Sequence, residues 1–299
     1  MKSVLRLIAA RAGVDIVRAE RTFDACIAAV EHSAWPEVAW RFSRLTADGN
    51  PVEFSFSSAS SGLRYTVEVG GPEMPEERRI EAACAILEQL GHRGPPADVL
   101  EDWRAMQASH SLRWGCWLGI RHQGNSEKSK LYIEVPPDAK ISVGCLALPG
   151  SRLVMIGYES GTGRLEYYFR KQPLGIGDLK LLSDTAIGAL EELYNMPIAT
   201  ALEFSSPAYS VSGRNGASQI AFFVRAGWIG GSAAARRQLL RCESSGGALD
   251  AYQKLVGRFR DDDLPDHGVL TLGLNHQEGP NKNVDLRAGL SGRALMRFL

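Results

Sequence analysis

Two stretches of strict two-residue alternation constrain this chain more than any other feature. In Lys130-Leu131-Tyr132-Ile133-Glu134-Val135, side chains alternate across a strand, so Leu131, Ile133 and Val135 share one face and Lys130, Tyr132 and Glu134 the other. In Arg164-Leu165-Glu166-Tyr167-Tyr168-Phe169-Arg170, the apolar Leu165, Tyr167 and Phe169 oppose Arg164, Glu166, Tyr168 and Arg170. Each strand therefore has one face for a core and one that is both cationic and aromatic. The second kind of face suits an anionic leaving group beside a carbocation or a flat ring.

The same grammar runs along the chain. Helical spacing predicts helices over 18–32, 75–90 (ended by Gly91), 97–108, 176–194 and 232–260, the last broken near Ser244-Ser245-Gly246-Gly247. Strands are predicted at 40–43 and 52–57 about the turn Asp48-Gly49-Asn50-Pro51, and at 64–69. Further pairs are expected at 112–121 with 129–135 about Gly124-Asn125, and at 152–159 with 164–170 about Ser160-Gly161-Thr162-Gly163. Weaker strands fall near 201–206 and 218–225, and a last pair at 269–274 and 283–290. Connections this short make antiparallel pairs and exclude a parallel βαβ sheet. The apolar faces give amphipathic helices something to cover. The polar faces carry Glu53, Ser55, Ser57, Arg121, Lys130, Tyr132, Arg164, Tyr168, Gln219, Asn283, Asp285 and Arg287. An open sheet would turn them to bulk water, whereas about ten strands closed into a barrel enclose them in a polar lumen. The expected class is α+β: residues 1–299 as a single domain, a closed antiparallel barrel with helices outside.

Composition narrows the partners. Lys plus Arg equals Asp plus Glu at 34 each, which points to neither nucleic acid nor an anionic membrane surface, so any cationic site is local. The five cysteines show no CxxC spacing and the segment at 4–10 is too short and charged for a signal core, so a cytoplasmic location is expected. The six histidines show no metal-ligand spacing. Arg260 to Asp266 contains a DDxxD sequence, but Pro265 breaks the helix on which such carboxylates would share a face. We read it as a solvated loop. The Gly161-Thr162-Gly163 and Gly230-Gly231 runs complete no nucleotide-binding motif and read as turns.

Four pieces of sequence, in order, resemble the ABBA-barrel aromatic prenyltransferases, particularly the bacterial group acting on phenolic and naphthalene-type rings. They are Phe42-Ser43 with Glu53-Phe54-Ser55, the Lys130-x-Tyr132 strand, the Gly157 to Phe169 hairpin, and Leu272-Gly273-Leu274 with 282–289. The resemblance implies a ten-stranded barrel that moves an allylic prenyl group from an isoprenyl diphosphate (dimethylallyl or geranyl) to an aromatic acceptor, a small molecule or a peptide side chain. It implies catalytic roles for Glu53, Tyr132 and Tyr168, and a diphosphate site built from Lys130 and Tyr132. Inward parity adds Arg121, Arg164 and Arg287 to that site. Ser55, Trp117, Glu166 and Gln219 are expected to line the acceptor and prenyl space. Glu53 falls where metal-dependent members place an aspartate, and Gln219 where an arginine is common. No cofactor is therefore expected to be obligatory, with magnesium an optional aid. A non-catalytic barrel that carries a hydrophobic small molecule is the alternative, and it requires an apolar lumen rather than cations beside aromatic rings.

Overall fold

The computed structural model describes residues 1–139, 141, 147–214, 217–241, 247–257, 260, 264, 266–274 and 284–296. The acidic run at 261–263, the break at 244–246, and Cys145, Cys242, His276 and Asn283 lie outside the described residues. Ten strands form one closed barrel: β1 (Val52–Ser57), β2 (Leu63–Glu68), β3 (Cys116–Gln123), β4 (Ser126–Glu134), β5 (Arg152–Glu159), β6 (Arg164–Arg170), β7 (Ala208–Arg214), β8 (Ala217–Arg225), β9 (Val269–Leu274) and β10 (Val284–Ser291). Each pairs antiparallel with its neighbours in sequence, and β10 returns to β1 with Phe54 opposite Leu290 and Ser57 opposite Arg287. Closure leaves no free sheet edge. One end of the barrel carries the hairpin turns; the other receives the longer, helix-bearing connections.

Those connections hold α1 (Lys2–Arg11), α2 (Ile16–Glu31), α3 (Arg79–Gln89), α4 (Ala97–Ala108), α5 (Ile176–Leu182), α6 (Ala186–Tyr194), α7 (Ile198–Phe204), α8 (Gly231–Arg241) and α9 (Ala248–Val256), with α10 (Gly292–Met296) after β10. The Asp15 carboxylate caps α2 by accepting from Val17 N (3.0 Å) and Arg18 N (3.3 Å). The core lies between barrel and helices, and it is the outward strand faces that fill it. Phe23 of α2 meets Tyr65 edge-on at 5.3 Å, Tyr252 of α9 meets Phe56 at 5.3 Å, and Trp103 of α4 meets Tyr158 at 6.0 Å. Burying each such ring is worth about 1.5–3 kcal/mol. Among the described residues no helix is long and apolar enough to cross a membrane.

Three expectations are corrected. Residues 40–43 form the end of a turn and an irregular segment, not a strand, because both edges of β1 are already taken by β2 and β10. The segment is instead tied across the barrel end: Ser43 N bonds Gly49 O at 2.9 Å, and the Ser43 hydroxyl donates to Glu68. The stretch at 201–206 is mostly helix α7, whose buried Ile198 and Ala201 sit three apart; the strand follows at 208–214. The helix expected over 176–194 is two, since Ser183 Oγ accepts from Thr185 N at 3.3 Å and turns the chain. Helices α1 and α10 are additions to the sequence reading.

Candidate functional site

The polar faces meet in the lumen, where three layers are distinguishable. Nearest the hairpin end, strand register sets Arg64 directly opposite Arg121, and Ser57 opposite Arg287. Like charges directly opposed across a strand pair are destabilising, so this placement asks for an anion. Asp285, 4% exposed, supplies one: Arg287 Nε donates to its Oδ2 at 2.5 Å and Ser57 to its Oδ1 at 2.6 Å. One carboxylate does not satisfy three guanidiniums. Burial, then Arg287 and Arg121, push Arg64 down to about 9, and Arg121 is lowered by burial and by Arg287. The Nε atoms of Arg64 and Arg121 are buried with no hydrogen-bond partner among the described residues. Two orphaned cationic donors in one layer make an anion seat.

The middle layer is cationic and aromatic. Lys130 on β4 reaches over β5 to β6, where its Nζ bonds the Glu166 carboxylate and donates to Tyr168 OH at 3.0 Å. That reach needs Gly157: a Cβ there would lie 2.5 Å from Lys130 Cε and 3.2 Å from Tyr168 Cε2. Ser210 Oγ completes the group, donating to Glu166 Oε1 at 2.5 Å. Burial pushes the Glu166 carboxyl up, but Lys130, Ser210 and Tyr168 outweigh it and hold it at about 2. Lys130 Nζ also lies 5.2 Å from the Tyr132 ring centroid and 5.4 Å from that of Tyr168, and Phe223 is 5.5 Å beyond Tyr168. The ammonium thus occupies a place where π-faces already stabilise positive charge.

Toward the helix end, Glu53 projects beside Gly289, where any Cβ would fall on its carboxyl group. Burial pushes Glu53 up to about 7, and among the described residues no cation pairs with it. Trp117 stacks on Trp114 at 3.9 Å and keeps a buried Nε1–H without a partner among the described residues. Ser55, opposite both Arg64 and Gly289, lies in the wall between Glu53 and the arginine layer.

The structure thus gathers Glu53, Ser55, Trp117, Arg121, Lys130, Tyr132, Glu166, Tyr168 and Arg287 about one lumen. Two expected residues stand apart at the hairpin rim. Arg164 is neutralised by Glu159 at 3.2 Å and donates to Gln219 Oε1 at 2.8 Å, so both serve each other. Glu134 is spent on the backbone, accepting from the N–H groups of Arg113, Trp114 and Gly115 at 2.7–3.1 Å. Arg64 was missed by the sequence reading, although its parity against Tyr65 and Val67 places it on the polar face. Among the described residues no three His, Cys, Asp or Glu side chains group as metal ligands.

No family model matches the chain, and no curated protein matches its sequence. Solved structures share its fold over nearly all its length. The 5-dimethylallyltryptophan synthase from Streptomyces coelicolor has a TM-score of 0.72 at 16% identity, covering 98% of this chain and 97% of that one. The 6-dimethylallyltryptophan synthase from Micromonospora olivasterospora, in complex with DMASPP and Trp, gives 0.72 at 16% identity over 98% and 96%. PriB in its binary complex with product diphosphate gives 0.69 at 17% identity over 98% and 95%. The chain has the closed barrel of the ABBA-type aromatic prenyltransferases.

Proposed function

We propose that this chain transfers an allylic group from an isoprenyl diphosphate, dimethylallyl or geranyl, to an aromatic acceptor. The observation that carries the reading is the stacking of a cationic layer (Arg64, Arg121, Arg287) with too few carboxylates on an aromatic one (Tyr132, Tyr168, Phe223), with Glu53 nearby. A lumen built to carry a hydrophobic molecule would have no use for those charges.

In this reading the diphosphate accepts from the orphaned Arg64 and Arg121 donors, from Arg287 and from Lys130. The C1–O bond of the donor breaks with its electron pair going to the diphosphate, whose growing charge the fixed guanidiniums stabilise more than they do the ground state. The allyl cation then lies against the faces of the Tyr132 and Tyr168 rings, which meet edge-on at 6.1 Å. Barrel walls exclude the water that would otherwise capture it. The acceptor ring attacks the cation, a carbon–carbon bond forms, and the ring proton passes to the Glu53 carboxylate. A carboxyl poised near neutral pH is suited to take that proton, whereas Glu166, held ionised by Lys130, is not. Glu53 supplies one carboxylate that, with diphosphate oxygens and water, would suit a magnesium ion, while Arg64, Arg121 and Arg287 supply permanent positive charge at the leaving group. The reading routes no step through a metal.

The structures that share the fold include complexes with DMASPP and Trp, which makes dimethylallyl diphosphate and tryptophan the first pair to try. Incubation of the protein with dimethylallyl or geranyl diphosphate and a panel of indoles, phenols and naphthols, read by mass spectrometry, should yield a prenylated ring and free diphosphate. Intact donor throughout, with every acceptor, would overturn the proposal.

A further inference from the structure

The helix end of the barrel carries a second cationic cluster that the proposed transfer leaves unused. Arg170 and Arg225 continue the inward parity of β6 and β8 out to the rim, a bulge between Leu153 and Met155 brings Arg152 of β5 into line with them, and Arg113 leads into β3; all four are exposed. Arg152 and Arg170 are directly opposed in register. Burial, then Arg225, Arg152 and Arg113, lowers the proton affinity of Arg170, so the four share one electrostatic neighbourhood. Among the described residues no carboxylate forms an ion pair with any of them. Two acids at this end are already committed: Glu68 to Arg79 and Ser43, and Glu134 to three backbone N–H groups. Beside the rim lies a cavity of about 330 Å³ walled by Arg44, Glu68, Glu76, Arg79 and Arg113. The Arg79 side chain is 3% exposed and keeps its Nε without a partner.

This charge exceeds what a lone amino acid would engage. A single carboxylate satisfies one guanidinium bidentately, or two at most. Arg170 lies two residues along β6 from Tyr168, about 7 Å at the rise of a strand. An aromatic side chain hung from the rim spans that distance, which leaves its backbone and flanking residues level with the arginines. We propose that the acceptor is an aromatic side chain within an acidic peptide, whose flanking carboxylates dock on Arg113, Arg152, Arg170 and Arg225 while the ring enters the lumen. This inference rests on the proposed prenyl transfer. It adds the substrate class and the entry side.

Two pentapeptides test it, one with tryptophan flanked by two aspartates on each side, the other with asparagines instead. Each is fluorescently labelled and titrated by anisotropy at low and at moderate salt, with free tryptophan as a competitor. Exposed ion pairs are individually weak, so several acting together are expected to favour the acidic peptide by roughly tenfold at low salt. Added salt should narrow the difference. The double variant Arg152→Gln/Arg170→Gln, with its fold verified by circular dichroism, should bring the two affinities together. Equal binding of both peptides by the wild type, or an acidic preference that survives in the double variant, would overturn the inference. So would free tryptophan competing as well as the acidic peptide binds. Transfer from dimethylallyl diphosphate to both peptides with equal KM would uphold the transferase and sink the docking site. Selective binding of the acidic peptide without transfer would do the reverse.

Discussion

At the scale of single residues, the lumen separates two carboxyls by environment alone. Glu166 lies under Lys130 and stays ionised, while Glu53 is enclosed without a cation and is pushed up to about 7. Turnover should therefore rise with pH through about 7 as Glu53 ionises, and Glu53→Gln should flatten that limb and lower kcat by roughly 10²–10⁴. The sign for stability is opposite. A carboxyl whose folded pKa is raised favours the folded state only while protonated, and that contribution fades from the unfolded carboxylate range up to about 7. Glu53→Gln should consequently melt higher than the wild type above neutral pH. Lys130→Ala should lower kcat at saturating donor by roughly 10²–10³, because it removes a cation beside the charge that develops on ionisation. Unchanged turnover in a folded variant would assign Lys130 to the Glu166 pair alone. Side-chain parity made Lys130, Tyr132, Tyr168, Arg121 and Arg287 legible in the sequence. It did not reveal that Lys130 is paired, because its partner Glu166 lies two strands away, and the Glu159–Arg164 pair, although implied by the predicted hairpin, was not drawn from it.

At the scale of elements, the β2–β3 pair holds a deliberate cost in Arg64 opposite Arg121. Arg64→Met keeps the stem and removes one of two opposed charges. It should raise the melting temperature while weakening donor binding by about tenfold or more, a trade characteristic of functional sites. Melting scans and donor KM on the same preparation check both halves, and a loss of both would mean that Arg64 is structural. The bounds of the β5–β6 hairpin were readable to the residue, because Gly161 and Gly163 punctuate two strand-like runs; the bulge between Leu153 and Met155 in the apolar run of β5 was not. The stretch at 201–206 was not, since a seven-residue helix opened by Pro197 has too few turns to display its period. The 40–43 stretch has strand composition, and it was excluded by something composition does not carry: closure of β10 onto β1.

At the scale of the molecule, the sequence carried the architecture because every strand repeats the same division of faces, and only closure hides ten polar faces at once. The outer shell is fastened partly by polar contacts. Glu127 on β4 receives the Thr22 hydroxyl of α2 at 2.8 Å and lies 3.1 Å from both His92 Nε2 and His122 Nδ1. Burial pushes its carboxyl up, but the two histidines and Thr22 outweigh this and hold it well below the usual carboxylate range. Its contribution is full above the unfolded carboxylate pKa, about 4.3, and is lost as pH falls below it. Between pH 6 and pH 3 the wild type should thus lose more melting temperature than Glu127→Gln; equal losses would remove this cluster from the acid response. The account centres on permanent cations inside the barrel that ionise an allylic diphosphate without a resident metal. The most direct measurement is single-turnover transfer from dimethylallyl diphosphate to an aromatic acceptor in excess chelator, quantified by mass spectrometry. Prenylated product in chelator, with at least a tenfold slower turnover in Arg64→Met, is the predicted result. Product that forms only when magnesium is restored would contradict it.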